Sequence, residues 1–119
     1  MTGGSREGSS RLRIGYLSEE LREDGIASFV QPFFQDYERR WFEVYAYSLC
    51  DEDPGSWRLA VGIQQWRNIA GDTLEQAVQE IRADHIDILV LLARDKRARS
   101  LEIFAEQPSI IQITELGTP

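Results

Sequence analysis

Apolar and polar residues alternate from Leu12 to Ser18, with Leu12, Ile14 and Tyr16 set against Arg13 and Gly15. A period of two over this length predicts a β-strand. Glu19 to Gly25 breaks the alternation and reads as an acidic loop with partial helical character. The period then changes. Ile26, Phe29, Val30, Phe33, Phe34 and Tyr37 recur at i, i+3, i+4, i+7, i+8 and i+11, which predicts an amphipathic helix with a broad buried face. Pro32 lies inside it, lacks a backbone donor, and should kink the helix or shorten its first part.

Phe42 to Leu49 predicts a second strand, and Asp51 to Gly55 a loop with Pro-Gly as a turn signal. Trp57 to Val61 predicts a short helix and Gln65 to Ile69 a short strand. Asp72 with Glu75, and Thr73 with Gln76, both have capping-box spacing ahead of a helix whose core face is Leu74, Ala77, Val78 and Ile81. Ile86 to Ala93 is a nearly unbroken apolar run, as expected for a strand covered on both faces. A helix with Leu101, Phe104 and Ala105 on one face follows Arg99 and stops near Pro108, and Ile110 to Thr114 is the last strand. Repeated alternation of strand and helix predicts one α/β domain of the Rossmann-like, three-layer kind. Its sheet should hold five mostly parallel strands with helices on both faces, in the order 3-2-1-4-5 by analogy with Rossmann-like sheets. Residues 1–10 are small and polar and are expected to form a disordered tail, leaving 11–119 as the domain.

Composition narrows the function classes. The 119-residue chain is long enough for one core. Its net charge of −7 argues against generic binding to nucleic acid or anionic membranes. Cys50 is the single cysteine, so there is no intrachain disulfide, CxxC pair or metal spacing, which fits a reduced, cytoplasmic setting. No long apolar span or signal-peptide core is present.

Candidate chemistry concentrates after the Ile86–Ala93 strand, because ligands of open α/β sheets gather at the carboxyl ends of strands. Arg94, Lys96, Arg97 and Arg99 form the concentrated basic patch there and are the candidate anion- or partner-binding residues. The competing reading is ion pairing with Glu19, Glu20, Glu23 or Asp24 at the same edge. Those four carboxylates, and Asp51, Glu52 and Asp53, read as solvated acidic loops, since no motif ties them to a metal or to acid–base work. His85 precedes the long apolar strand, at the edge away from the expected ligands, and reads as a turn or surface residue. Cys50 reads as a buried or half-buried structural thiol, and Trp41, Trp57 and Trp66 as packing residues, with an interface once covered by another lobe as the alternative for some of them. There is no GxGxxG, P-loop or GxSxG, so no cofactor and no metal is expected.

An ordered set of short pieces carries a resemblance. It comprises Leu12-Arg-Ile-Gly-Tyr-x-Ser18, Phe29 and Pro32, Phe42-Glu-Val44 with Tyr47-Ser48, Trp66-Arg67-x-Ile69-Ala-Gly71 and Ile81-Arg-Ala-Asp84. Ile86-Asp-Ile-Leu-Val90, Leu92-Ala93, Phe104-Ala105-x-x-Pro108 and Gln112-x-Thr114-x-Leu116-Gly117-x-Pro119 complete it. In this the chain resembles the N-terminal lobe of the catalytic region of O-GlcNAc transferase-like proteins, the group that includes SPINDLY-type glycosyltransferases. The resemblance implies the Rossmann-like N-lobe of a GT-B architecture. It also implies two departures, because Asp24 and Asp95 stand where the family has histidines. Arg94-Asp95-Lys96 replaces the family's Gly-His-Thr, and Glu115-Leu-Gly-Thr-Pro119 its Trp-Leu-Gly-Tyr-Pro. No residue is therefore expected to be catalytic, and the expectation is a glycosyltransferase-like pseudoenzyme used for protein binding or assembly. The alternative is one lobe of a protein O-linked glycosyltransferase, completed by a partner chain or by sequence outside this stretch. On that alternative a nucleotide sugar is bound only once a second lobe is supplied. A protein partner or self-association is the expected interaction.

Overall fold

β1 (Leu12–Ser18) runs through the middle of the molecule and decides the layout on both sides. The computed structural model describes residues 11–93, 99–109 and 111–116. Within them β1 is followed by α1 (Ala27–Gln35), β2 (Phe42–Ser48), α2 (Pro54–Val61), β3 (Gln65–Asn68) and α3 (Leu74–Ala83). β4 (Ile88–Ala93), α4 (Arg99–Ala105) and β5 (Ile111–Leu116) complete the series. The strands form one sheet in the order β3-β2-β1-β4-β5, and every pairing is parallel. The expected architecture and strand order are both observed.

Two cores lie on opposite faces, because successive side chains of a strand point to opposite sides. Leu17, Tyr45, Tyr47, Leu89 and Leu91 project toward α3 and α4, where they meet Ala77, Val78, Ile81 and Ile103. Ala46 and Leu92 project toward α1 and α2, where they meet Val30, Phe34 and Leu59. Gly15 stays small because a β-carbon there would sit 3.1 Å from the Tyr47 ring and 3.2 Å from Ile86.

Several boundaries depart from the periodicity. α2 starts at Pro54, not at Trp57, and the Pro-Gly pair is its first turn, not a loop. Asp53 caps it, accepting from the Ser56 amide at 3.1 Å, and proline suits a first helical position whose N–H has no intrahelical partner. Gly55 is required by close approach, since a β-carbon would lie 2.7 Å from the Glu23 nitrogen. Of the two capping-box registers before α3, the structure uses Thr73 with Gln76. Leu74 is exposed instead of in the core, because it sits in the first turn beyond the sheet contact. β4 begins at Ile88, not Ile86, because the Asp87 carboxylate and amide are both engaged with the Arg13 backbone. β5 spans Ile111–Leu116, one residue later at its start and two later at its end than expected. α4 buries Ser100 and Ile103 most deeply, with Leu101 and Phe104 partly buried and Ala105 exposed.

The largest departure concerns α1. It continues through Pro32 but ends at Gln35, so Tyr37 lies beyond it. Only Ile26, Ala27, Val30 and Phe34 are buried, while Phe29 and Phe33 are exposed. Trp41 and Trp57 are also exposed and so do not pack the core of the lobe, whereas Trp66 is partly buried.

Candidate functional site

In a sheet of order 3-2-1-4-5 the chain leaves β1 toward one side and β4 toward the other, opening a crevice at their carboxyl ends. The loop after β1 and the start of α4 meet across it. The Glu19 carboxylate accepts from the Ser100 amide at 2.9 Å, a contact between residues 81 apart in sequence. A carboxylate at helical amides is favoured by their unpaired N–H groups. Ser18, fully buried, accepts from the Glu20 amide through its hydroxyl at 3.0 Å, which holds the loop against the strand end. The result is an anion already seated where a phosphate would otherwise find backbone donors.

Arg99 is the one member of the predicted basic patch within the described residues. Its guanidinium donates to the Ala70 carbonyl at 2.9 Å and to the Asp72 carbonyl at 2.6 Å, tying α4 to the β3–α3 turn. These two bonds thus run to backbone oxygens of the β3–α3 turn. Arg94, Lys96, Arg97 and Asp95 lie outside the described residues.

Asp24 sits on the β1–α1 turn with its side chain 75% exposed, 2.8 Å from Arg22. A surface ion pair this open contributes little to stability. Next to it Gly25 is forced by geometry, since a β-carbon would lie 2.3 Å from the Glu20 carbonyl oxygen. The rest of the loop is fixed by Asp53, which accepts from the Glu23 amide at 3.0 Å as well as capping α2. Desolvation alone would raise the Asp53 pKa, but the amides of Ser56 and Glu23 outweigh it and hold the carboxyl below its ordinary value. Ser56 donates from its hydroxyl to the Leu21 carbonyl, and Arg58 pairs with Glu23. The acidic residues read as a solvated loop are therefore in part the pegs that shape this edge.

Cys50 is half-buried beside the Ser48 hydroxyl, with Sγ 3.6 Å from Oγ. His85 is exposed in the turn after α3, with φ of 54°. Among the described residues no group of three or more His, Cys, Asp or Glu is arranged to hold a metal ion. No helix of the described residues is long and apolar enough to cross a membrane.

Away from the crevice, behind β2 and β3, lies a charge cluster that sequence reading missed. Arg67 donates to both Asp84 carboxylate oxygens at 2.8 Å, and the buried Tyr47 hydroxyl donates to Asp84 as well. Burial first, and then this hydrogen bond, push the Tyr47 pKa far above its ordinary value. Arg11 and Arg13 both pair with the buried Glu43. The partners come from separate elements, so only long-range register brings them together.

Comparison with known proteins matches residues 3–119 to the family described as Glycosyl transferase family 41. The chain is 30% identical over 117 residues to the "Probable UDP-N-acetylglucosamine--peptide N-acetylglucosaminyltransferase SEC" of Arabidopsis thaliana, covering 96% of this chain and 12% of that protein. It is 27% identical over 118 residues to the Caenorhabditis elegans UDP-N-acetylglucosamine--peptide N-acetylglucosaminyltransferase, covering 97% of this chain and 10% of that protein. Among solved structures, a lysine-to-methionine mutant of the Thermobaculum terrenum O-GlcNAc transferase superposes with a TM-score of 0.79 at 34% identity. That superposition covers 91% of this chain and 21% of the other. The chain therefore spans about a tenth of the length of the curated relatives it matches.

Proposed function

Because the chain belongs to glycosyl transferase family 41, we propose that it is an O-GlcNAc transferase-like lobe that acts without catalysis, as a cytoplasmic binding or assembly module. The observation that carries this reading is the crevice between β1 and β4. Transfer from a nucleotide sugar needs donors aimed at the leaving phosphates and a held acceptor. Here the Glu19 carboxylate sits on the Ser100 amide, and Arg99 donates to the carbonyls of Ala70 and Asp72. Asp24, where the family resemblance puts a histidine, is an exposed partner of Arg22. A carboxylate there adds like charge toward a diphosphate.

The test is an assay of this chain alone with radiolabelled UDP-N-acetylglucosamine, scoring hydrolysis and transfer to peptide. No turnover above buffer is expected. Turnover that disappears on changing Asp24 or Asp95 would overturn the reading.

A second reading is favoured by length. The curated relatives carry about nine-tenths of their chains outside the matched stretch. On this reading the lobe is part of a protein O-linked glycosyltransferase, completed by a partner chain or by further sequence that supplies the nucleotide-sugar site. Affinity purification from the native cell separates the two readings. A bound polypeptide carrying a nucleotide-sugar lobe, with activity in the recovered complex, selects the second.

A further inference from the structure

One carboxylate oxygen in the β3–α3 turn has no donor. Asp72 Oδ2 is buried and without a hydrogen-bond partner, which strips an ionised carboxylate of hydration and gives it nothing in return. The turn around it is held on both sides. Asp72 donates its amide to the Ile69 carbonyl at 3.1 Å, and its own carbonyl accepts from Arg99 at 2.6 Å. The reciprocal cap of Thr73 and Gln76, with bonds of 2.9 and 3.1 Å, then fixes the start of α3.

Thr73, Gln76 and Glu80 recur at i, i+3 and i+7, so the helix sets Glu80 on the same face as its cap. Asp72, Thr73, Gln76 and Glu80 line one concavity, and the Glu80 carboxyl lies within hydrogen-bonding reach of the Asp72 carboxyl. Two ionised carboxyls cannot bond to each other, because each only accepts. The contact needs a proton or a cation. Among the described residues the cations facing it are Arg67 from β3 and Arg99 from α4. Arg67 is bound through two nitrogens to Asp84, and Arg99 donates to the carbonyls of Ala70 and Asp72. Asp84, at the far end of α3, adds negative charge toward Glu80, and Glu75 lines the same concavity. Tyr47, from β2, keeps its proton and gives it to Asp84 as a hydrogen bond. Carboxyls crowded in this way favour holding a proton between them.

We propose that Asp72 and Glu80 share one proton, forming a latch that ties the β3–α3 turn to the second turn of α3 and opens when the proton leaves. The Glu80 pKa is raised above its ordinary 4.5, first by the bond to Asp72 and then by burial. A carboxyl raised on folding adds stability that is complete below pH 4.5 and is lost as pH rises through the folded value. This is the reverse of Asp53, whose pKa is lowered. Arg99 fastens α4 to the same turn, so the latch reaches the α4 start, where the Ser100 amide meets Glu19. The proposal goes beyond the assembly reading and does not depend on it.

The experiment follows the Asp72 and Glu80 carboxyl carbons by carbon-13 NMR in the isotope-labelled 119-residue chain, from about pH 3 to about pH 8. Coupled groups titrate in steps that belong to the pair, so both carbons should report a step above 4.5. The Arg99 Nε–H and Gln76 amide signals should shift with the same midpoint. Asp72→Asn, whose amide can donate to an ionised Glu80, should bring the Glu80 step down to 4.5 or below. Glu80→Gln, whose amide donates at every pH, should remove the upper step from Asp72 and hold the Arg99 and Gln76 signals still. Its urea midpoint should also fall less than that of the wild type as pH rises through the upper step. The wild-type titration decides the shared proton by itself, even where a variant folds poorly. A Glu80 step at or below 4.5, an Asp72 carbon blind to the upper step, or Arg99 and Gln76 signals that ignore it would each overturn the proposal. So would calcium that saturates both carboxyls at neutral pH, which would assign the pair to a cation instead.

Discussion

Replacing Asp84 by alanine should destabilise the fold through the cluster behind β2 and β3. Asp84 is 8% exposed and is held by Arg67 through two bonds of 2.8 Å, with the Tyr47 hydroxyl as its third donor. Truncation leaves that hydroxyl, at 0% exposure, without its acceptor, which costs about 1–3 kcal/mol. Losing one partner of a fully buried ion pair costs about 3–5 kcal/mol. The Arg67 side chain is 35% exposed and can be rehydrated, so this part is discounted toward the surface value, to about 1 kcal/mol. The sum is about 2–4 kcal/mol. With a urea slope of about 2 kcal/mol per molar, the unfolding midpoint should fall by about 1–2 M. Tyr47→Phe decides the mechanism. In the Asp84→Ala background it removes the orphaned hydroxyl and should recover about 1–2 kcal/mol, whereas in the wild type it should cost stability. Urea titrations followed by tryptophan fluorescence on the four proteins measure this cycle. A midpoint shift below about 0.3 M, or a strictly additive cycle, would refute the reasoning.

Two further predictions use single groups. Tyr47 has its pKa raised above the ordinary 10.0 by burial and by the bond to Asp84; above pH 10 the unfolded chain releases this proton while the folded chain keeps it. Stability should then fall as pH rises past 10, and Tyr47→Phe should flatten the fall by up to about 1.4 kcal/mol per pH unit, read from urea midpoints between pH 9 and 11. Tyr16 and Tyr45, also raised by burial, keep part of the slope in that variant. His85 holds φ at 54°, a region costing a side chain about 1–2 kcal/mol. His85→Gly should gain about 0.5–1 kcal/mol after the entropy of the more flexible unfolded chain is subtracted, and a lower melting temperature would contradict this.

The strand and helix sequence could be read from residue patterns because period two and period 3.6 are local properties. Leu12, Ile14 and Tyr16 announce a strand wherever they are placed, and Thr73 with Gln76 announces a helix start. The parallel sheet follows from the alternation of these elements, since parallel strands need helical crossovers. The candidate site was less legible. The charge of Arg99 is visible in sequence, whereas its bonds to the carbonyls of Ala70 and Asp72, 29 and 27 residues away, are not. Glu19 looked like one carboxylate among several until the fold brought it to the Ser100 amide.

α1 separates the two kinds of information. Its apolar spacing determined that a helix forms and that Val30 and Phe34 face inward. Spacing also marks Phe29 and Phe33 as apolar, but says nothing about what stands opposite them. That was decided by the tertiary packing, since α1 and α2 close over Ala46 and Leu92 through Val30, Phe34 and Leu59, while Phe29 and Phe33 fall on the part of α1 turned away from that contact. Burial depends on two surfaces meeting, and a sequence pattern describes only one of them.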